Sequence, residues 1–413
     1  MRVADGRLLL HDIPLTELAG RYGTPLYVYD AETLRARVRA YRDAFAAEGP
    51  ARIGYSAKAC ALVGVLHVLR PMPVSAASLG ELEAAVRAGI PASRCWLHGN
   101  AKTDEEIRGA LALGVGRIVI DGEREHERIA RAVRGRAQRV WVRVAPDVVA
   151  DTHSHLRTSG EQKFGLPTGG RGTALVLEIA RTRGLRLVGV HAHVGSQIAD
   201  LETFRRVAAW LASFALELRD DGVDITEVCV GGGVAVPEPA GPEPDLIAYA
   251  RAVAAPVHEA LPDATVVVEP GRSMVARSAV ALYRVQDRKV LPSGRVFIAV
   301  DGGMGDNIRP ALYGARYEAA VAERSDGATE HVTIAGAFCE AGDVLIEDAV
   351  LPRADIGDLV VVPAVGAYSV AMASNYNQRP RPAVVLVDRG RARLIRRRER
   401  AADLFRLERV SSR

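Results

Sequence analysis

Between about residues 51 and 272, short β-branched or apolar runs alternate with stretches whose apolar residues recur at helical spacing. The runs GYSAK (54–58), VSAAS (74–78), WLHG (96–99), RIVID (117–121), VWVRV (140–144), LVGVHAHVG (187–195), EVCVGGG (227–233) and TVVVEPG (265–271) predict eight strands. The segments between them, such as LGELEAAVRAG, DEEIRGALALG and FRRVAAWLASFALELRDDG, have helical periodicity and close on a glycine, as helix C-termini often do. Eight strands joined by helical crossovers predict an α/β fold built on a TIM-type (β/α)8 barrel. Beyond about residue 275 the period becomes that of strands without long helices, in AVALYRVQ, RVFIAVDGG, HVTIAGAF, DLVVVPAV and PAVVLVDRGRARLIRR. This predicts a C-terminal antiparallel β domain. The expected division is a segment over 1–30 that pairs with the β domain, a barrel over 31–273 and the β domain over 274–413.

The reactive side chains collect at one end of the predicted strands. Lys58, Ser78, His98, Asp121, Arg143, His193, Gly231 to Gly233 and Glu269 all fall at or just after a strand's C-terminal end, the active-site rim of a barrel. Taken singly, Ser78, His98 and Asp121 are equally well explained as turn residues.

Composition narrows the class. With 48% hydrophobic and 25% charged residues and a mean hydropathy of +0.04, the chain reads as globular. No apolar run approaches the ~18 residues of a membrane span, and the N-terminal leucine run is cut short by His11 and Asp12, so a cytoplasmic protein is expected. The four cysteines stand singly, without the spacing of a zinc site or a disulfide framework, and no metal is expected. A net charge of +4 comes from arginines interleaved with carboxylates, which does not read as a nucleic-acid surface.

Apart from Lys58, Lys102, Lys163 and Lys289, every one of the 54 basic residues is arginine. A guanidinium stays protonated, whereas a lysine amine can lose its proton and attack a carbonyl. Lys58, in YSAKA, is the lysine on the rim, and burial among Tyr55, Ala57 and Ala59 would lower its pKa; the plainer reading is a solvated strand-end lysine. Gly231, Gly232 and Gly233 bring backbone amides close to a phosphate, although GGG is also an ordinary tight turn. Glu269, in EPGR, is placed to accept a hydrogen bond from a protonated pyridine nitrogen. In HAHVGSQI, His193 suits stacking on such a ring and Ser196 suits a phosphate oxygen. A G-x-G-x-x-G that opens a helix is absent here, so a dinucleotide fits less well.

YSAKA, HGNAK (98–102), QKFG (162–165), HVGSQI, GGG, EPGR, DGGMGDNIRPALYG (301–314), CEAGD (339–343), GAY (366–368) and SNYN (374–377) occur in this order. Together they resemble the diaminopimelate decarboxylases, in the fold-type III group that also holds ornithine and arginine decarboxylases. The resemblance implies pyridoxal 5′-phosphate held by Lys58, with His193 stacked on its ring and Glu269 on its nitrogen. Ser196, Gly231, Gly232, Gly233, Gly271, Arg272 and Tyr368 would line the cofactor. It further implies Arg272, Arg309, Tyr313 and Tyr368 around the substrate, with the two arginines and Tyr313 on its distal carboxylate, Glu340 on its distal ammonium, and Cys339 as proton donor. In the family, the cysteine and glutamate come from a partner subunit, so a homodimer with shared sites is implied.

Family members usually read CESGD where this chain has Ala341, SGGE where it has SLGE (78–81), and glycine in place of Ala235. Meso-2,6-diaminopimelate is the substrate expected. The alternative is a related decarboxylase of secondary metabolism acting on a siderophore precursor or on a glutamyl group tethered to a carrier protein. A racemase would need a second base opposite Lys58, and the racemase-like KANAYG is absent. A non-catalytic relative would be expected to lose cofactor residues, yet Lys58, His193, Glu269 and Arg272 all stand.

Overall fold

The computed structural model describes residues 1–4, 6–146, 163–237, 241–324 and 326–410. The chain divides into two compact units. One comprises Arg35–Val236 and Glu243–Met274; the other comprises Met1–Leu34, Pro237–Pro242 and Val275–Arg413.

The first unit is a parallel barrel. Its strands run Ala51–Ile53 with Tyr55–Ser56, then Val74–Ala76, Trp96–Leu97, Arg117–Ile120, Gln138–Arg143, Leu185–His191, Glu227–Cys229 and Thr265–Val268, each beside the next. Closure occurs within the first strand, which is interrupted at Gly54. Ala51–Ile53 pairs with Thr265–Val268, while Tyr55–Ser56 pairs with Val74–Ala76. At the break, Gly54 N–H donates to Val268 O and Tyr55 N–H to Pro73 O, each at 2.8 Å, so neither side loses its ladder. The strands are short and buried, as expected when helices cover one face and the barrel interior the other. The helices start where their sequences supply caps: Ser78 accepts from Glu81 N–H, Thr103 forms a capping box with Glu106, and Asp200 and Asp245 each accept two amides.

The barrel interior is solid. Trp96, Val119, Trp141, Val188, Cys229 and Val267 pack as one cluster, with the two indole centroids 5.2 Å apart. Two glycines make room for them. A Cβ at Gly54 would lie 2.2 Å from the Trp96 ring, and one at Gly189 would lie 2.7 Å from that of Trp141.

Below the indoles, at the strands' N-terminal ends, buried Glu227 accepts from Arg117 Nε at 2.6 Å, Arg52 at 2.7 Å, Arg139 at 3.3 Å and the Trp141 indole at 2.7 Å. Burial pushes this carboxyl up, but Arg117 and Arg52 outweigh it and bring it down to about 2.

The second unit is a mixed sheet ordered Val344–Pro352, Thr329–Ala335, Val296–Val300, Ala279–Val290, Leu26–Asp30, Ala383–Asp388, Arg391–Arg396. Most neighbours are antiparallel, as expected from the sequence. However, Val296–Val300 with Thr329–Ala335 and Leu26–Asp30 with Ala383–Asp388 run parallel. The long connections between these partners permit it, since a parallel pair needs a crossover rather than a hairpin. The sequence reading did not anticipate Val344–Pro352. Its central Glu347 and Asp348 are exposed and break the apolar pattern, and its pairing with Thr329–Ala335 shifts register twice. The core of this unit gathers Leu26, Val28, Val280, Leu282, Leu359, Val361 and Val385.

Glu227→Gln leaves three buried or half-buried guanidiniums without their anion. It should lower the unfolding free energy by roughly 3–5 kcal/mol, read by denaturant titration at neutral pH. Because the folded carboxyl titrates below the unfolded one, its contribution is complete above about pH 4.5 and is lost as pH falls toward 2. The variant's deficit should shrink over that window.

Candidate active site

The barrel's C-terminal rim is organised around Glu269, one residue beyond Thr265–Val268 and 8% exposed. Three N–H donors converge on its carboxylate. The Trp96 indole and His98 Nε2, the latter at 2.6 Å, meet Oε1, and His191 Nε2 meets Oε2 at 3.1 Å. A carboxylate has about four lone-pair directions, so one on Oε2 is left for a further donor. Burial alone would push this carboxyl up, but the two imidazoles outweigh it and hold it well below the usual carboxylate range. Burial pushes the His191 imidazole down to about 4, against the pull of the Glu269 charge, so it donates as a neutral ring.

By residue type, His98, His191 and Glu269 also suit a cation, with ligand atoms within 4.8 Å of one another. Yet both Nε2 atoms are directed at the carboxylate and the indole joins them there. This is an arrangement of donors around an anion.

Lys58 follows the strand Tyr55–Ser56 on a 3-10 turn, Ala57–Ala59. Its side chain is exposed while Tyr55, Ala57 and Ala59 are buried, so the desolvation expected from YSAKA is not present. The turn leaves the lysine exposed and keeps the small residues buried. Lys58 lies close enough to influence both Glu81 and His193 electrostatically. Gly271 fits against this turn, since a Cβ there would sit 3.2 Å from that of Ser56 and 3.3 Å from that of Ala59.

His193 is half-buried on the rim. Desolvation and then the Lys58 charge hold its imidazole well below the ordinary histidine value. Its Nδ1 accepts the Gly232 amide at 3.3 Å, which leaves Nε2 to carry the proton. That amide is therefore already engaged, and the three glycines have a packing role besides the phosphate cradle expected of them. A Cβ at Gly231 would meet Ala192 O at 2.7 Å, at Gly232 it would meet Glu269 O at 2.2 Å, and at Gly233 it would meet Gly195 O at 2.3 Å. Gly231 and Gly233 also have φ of 72° and 116°, the left-handed region that favours glycine. Arg272 donates to Ser196 Oγ at 3.3 Å, bringing these two predicted site residues together.

The remaining rim residues are structural. Ser78 caps a helix, and Asp121 takes the Gly165 amide at 2.5 Å and pairs with Arg143 at 3.3 Å. Lys102 is buried, with its ammonium on Gly99 O, Val119 O and Glu125. Lys289 is exposed on a strand of the other unit, and Lys163 lies over the Phe164 ring. Gln162 of the QKFG motif lies outside the described residues.

Arg309, Tyr313, Cys339, Glu340 and Tyr368 belong to the second unit. Arg309 is buried, its guanidinium bonded to the Tyr317 hydroxyl, and it opens the short helix Arg309–Tyr313. Tyr313 and Tyr368 are half-buried, Tyr368 with φ 61°, and Cys339 and Glu340 are exposed.

Sequence reasoning did not single out Trp96 or His191, and it placed His98 on the rim with an ordinary turn residue as an equal alternative. A signal existed for one of them: His191 and His193 are two apart, which puts alternate strand positions on the same side. Nothing local marks Trp96.

A parallel barrel with an amine, an anionic carboxylate and a neutral imidazole on its C-terminal rim defines an enzyme of the class that handles an aldehyde-bearing heterocyclic cofactor. Residues 31–276 match the family model described as pyridoxal-dependent decarboxylase, pyridoxal binding domain. Along 98% of its length the chain is 44% identical to the diaminopimelate decarboxylase of Actinosynnema pretiosum subsp. auranticum, covering 94% of that protein. It is 38% identical, again over 98%, to that of Bacillus subtilis, covering 95%. Among solved structures, diaminopimelate decarboxylase of M. jannaschii superposes with a TM-score of 0.94 at 30% identity, covering 99% of this chain and 98% of that one. The Helicobacter pylori enzyme, solved with L-lysine, gives 0.90 at 32%, covering 95% and 99%. The chain belongs to the diaminopimelate decarboxylase family of pyridoxal-dependent decarboxylases.

The folded His191 titrates near 4, below the 6.5 of a free imidazole, so the unfolded chain binds the extra proton between these values. Stability from this group is complete above about pH 6.5 and is lost as pH falls toward 4, by on the order of 3 kcal/mol. Denaturant titrations at stepped pH should show this slope, and His191→Gln should flatten it.

Proposed function

We propose that the chain decarboxylates meso-2,6-diaminopimelate to L-lysine and carbon dioxide, with pyridoxal phosphate at the barrel rim. The observation that carries the chemistry is the Glu269 anion, buried under three N–H donors with one acceptor direction left over. The substrate's name rests on full-length likeness to diaminopimelate decarboxylases.

The residues present suit the cofactor. When bound, pyridoxal phosphate supplies an aldehyde for an amine and a ring that withdraws the electron pair released with carbon dioxide. Lys58, on its outward-facing turn, is the amine that holds the aldehyde. Glu269 would accept the ring N–H, and its fixed anion would keep that proton in place. His193, held neutral and oriented by the Gly232 amide, would lie against the ring. Ser196, Gly231 to Gly233, Gly271 and Tyr368 serve the phosphate.

Arg272, Arg309 and Tyr313 bind the distal carboxylate, where a planar guanidinium can grip two oxygens, and Glu340 meets the distal ammonium. Cys339 delivers a proton to the α-carbon after carbon dioxide leaves. Cys339 and Glu340 are exposed on the single chain, which supports a homodimer in which each subunit lends them to the other's rim. A cytoplasmic setting fits four cysteines that are all free thiols.

Lys58→Ala should lose both the cofactor's visible absorption band and turnover. A link to the cofactor that borohydride still reduces would place the imine-forming amine elsewhere. Carbon dioxide release should favour meso-diaminopimelate over lysine, which lacks the distal carboxylate, by a factor on the order of 10⁴. Equal rates, or release only from a carrier-bound or citrate-linked substrate, would overturn the substrate assignment. Mixing Lys58→Ala with Cys339→Ala protein under demonstrated subunit exchange should restore part of the activity. If none returns, the site is built within one chain.

A further inference from the structure

The SNYN segment has no part in the reaction described so far, yet it is locked to the turn that carries Cys339. Three stretches of the second unit interlock: 302–306, 336–343 and 374–379. Asp343, 4% exposed, accepts Met304 N–H at 2.6 Å on one oxygen and Phe338 N–H at 2.8 Å on the other. Its carboxylate requires glycine on both sides, because a Cβ at Gly303 would come within 2.5 Å of it and one at Gly336 within 2.2 Å. The Phe338 ring fills the space beside Gly305, where a Cβ would be 2.2 Å away. Tyr376 stacks on Phe338 at 6.2 Å and 5°, Arg379 lies over the same ring at 5.4 Å, and Ser374 N–H donates to Gly305 O at 2.9 Å.

Within the turn, Glu340 N–H bonds Phe338 O and Asp343 N–H bonds Glu340 O, while the Cys339 amide points outward. It donates to Asn377 Oδ1 at 2.8 Å. Asn377 sits at φ 52°, ψ 26°, a left-handed conformation that asparagine tolerates better than most residues. The strained backbone aims the amide oxygen at one peptide, the one whose side chain is the thiol.

We propose that Asn377 is a positioning residue for Cys339, fixing the peptide from which the thiol projects. The inference rests on the reading of Cys339 as proton donor. Asn377 acts through the cysteine's backbone rather than on substrate or cofactor.

Two substitutions test it in the holoenzyme. Asn377→Gly keeps the left-handed backbone without steric penalty and removes the acceptor; Asn377→Asp keeps an acceptor. Cys60, Cys95 and Cys229 are buried within the chain and Cys339 is exposed on it, so iodoacetamide labelling, located on Cys339 by peptide mass, reports on that thiol. The glycine variant should lose kcat by on the order of 10- to 100-fold, as misplacement of a reacting group does, with KM for meso-diaminopimelate little changed. Its rate of Cys339 alkylation across pH should differ from that of the parent. The aspartate variant should recover most of both.

A glycine variant with parental kcat and parental alkylation overturns the proposal. So does a loss that aspartate fails to rescue and that tracks a lowered melting temperature, since that marks a structural residue. Cys339→Ala serves as the separate control. If it turns over like the parent, the donor assignment fails, and the alkylation rates alone then decide whether Asn377 holds the turn.

Discussion

A carboxylate kept ionised in a buried site is the constraint on which this barrel depends. An unpaired charge at Glu269 would cost several kcal/mol, because the low-polarity interior cannot replace its water. The fold answers with the Trp96, His98 and His191 donors, the first two from the strand Trp96–Leu97 and the residue after it, the third from the end of Leu185–His191. Each donor carries its own requirement. Trp96 fills the barrel so fully that Gly54 can have no side chain, and Gly54 is where the first strand breaks before the turn that bears Lys58. The position of the amine and the state of the carboxylate are therefore linked through one indole.

The two ends of the barrel handle charge in different ways. At the N-terminal end Glu227 is neutralised by arginines and takes a further hydrogen bond from a tryptophan, which leaves its oxygens engaged. At the C-terminal end Glu269 is surrounded by neutral or weakly basic donors that leave one acceptor direction over. An arginine at that place would saturate the carboxylate with two parallel hydrogen bonds. Imidazoles and an indole, each giving a single N–H, hold the anion and still leave it able to bind.

In the second unit Cys339 and Glu340 sit on one of three loops that would be flexible alone. Buried Asp343 ties two of these loops through their backbone amides, and aromatic stacking brings in a third. Glycines at 303, 305 and 336 are needed there for close approach, which explains a glycine-rich stretch that carries no phosphate assignment.

The sequence by itself determined the barrel, since short apolar runs at regular spacing need no knowledge of packing to be recognised as buried parallel strands. It also placed Lys58, His193, Glu269 and the glycines at strand ends, because the end of a strand is a local property. The mixed pairing of the second sheet and the strand Val344–Pro352 were not legible. Parallel pairing depends on long crossovers, and an exposed Glu347–Asp348 pair looks like a loop until a partner strand covers the other face. Nor could the sequence decide between a buried and a solvated Lys58, or show that Trp96, 173 residues from Glu269, holds its carboxylate. Side-chain contacts between distant strand ends exist only once the sheet has closed, so only the tertiary structure could decide which donors meet the buried anion.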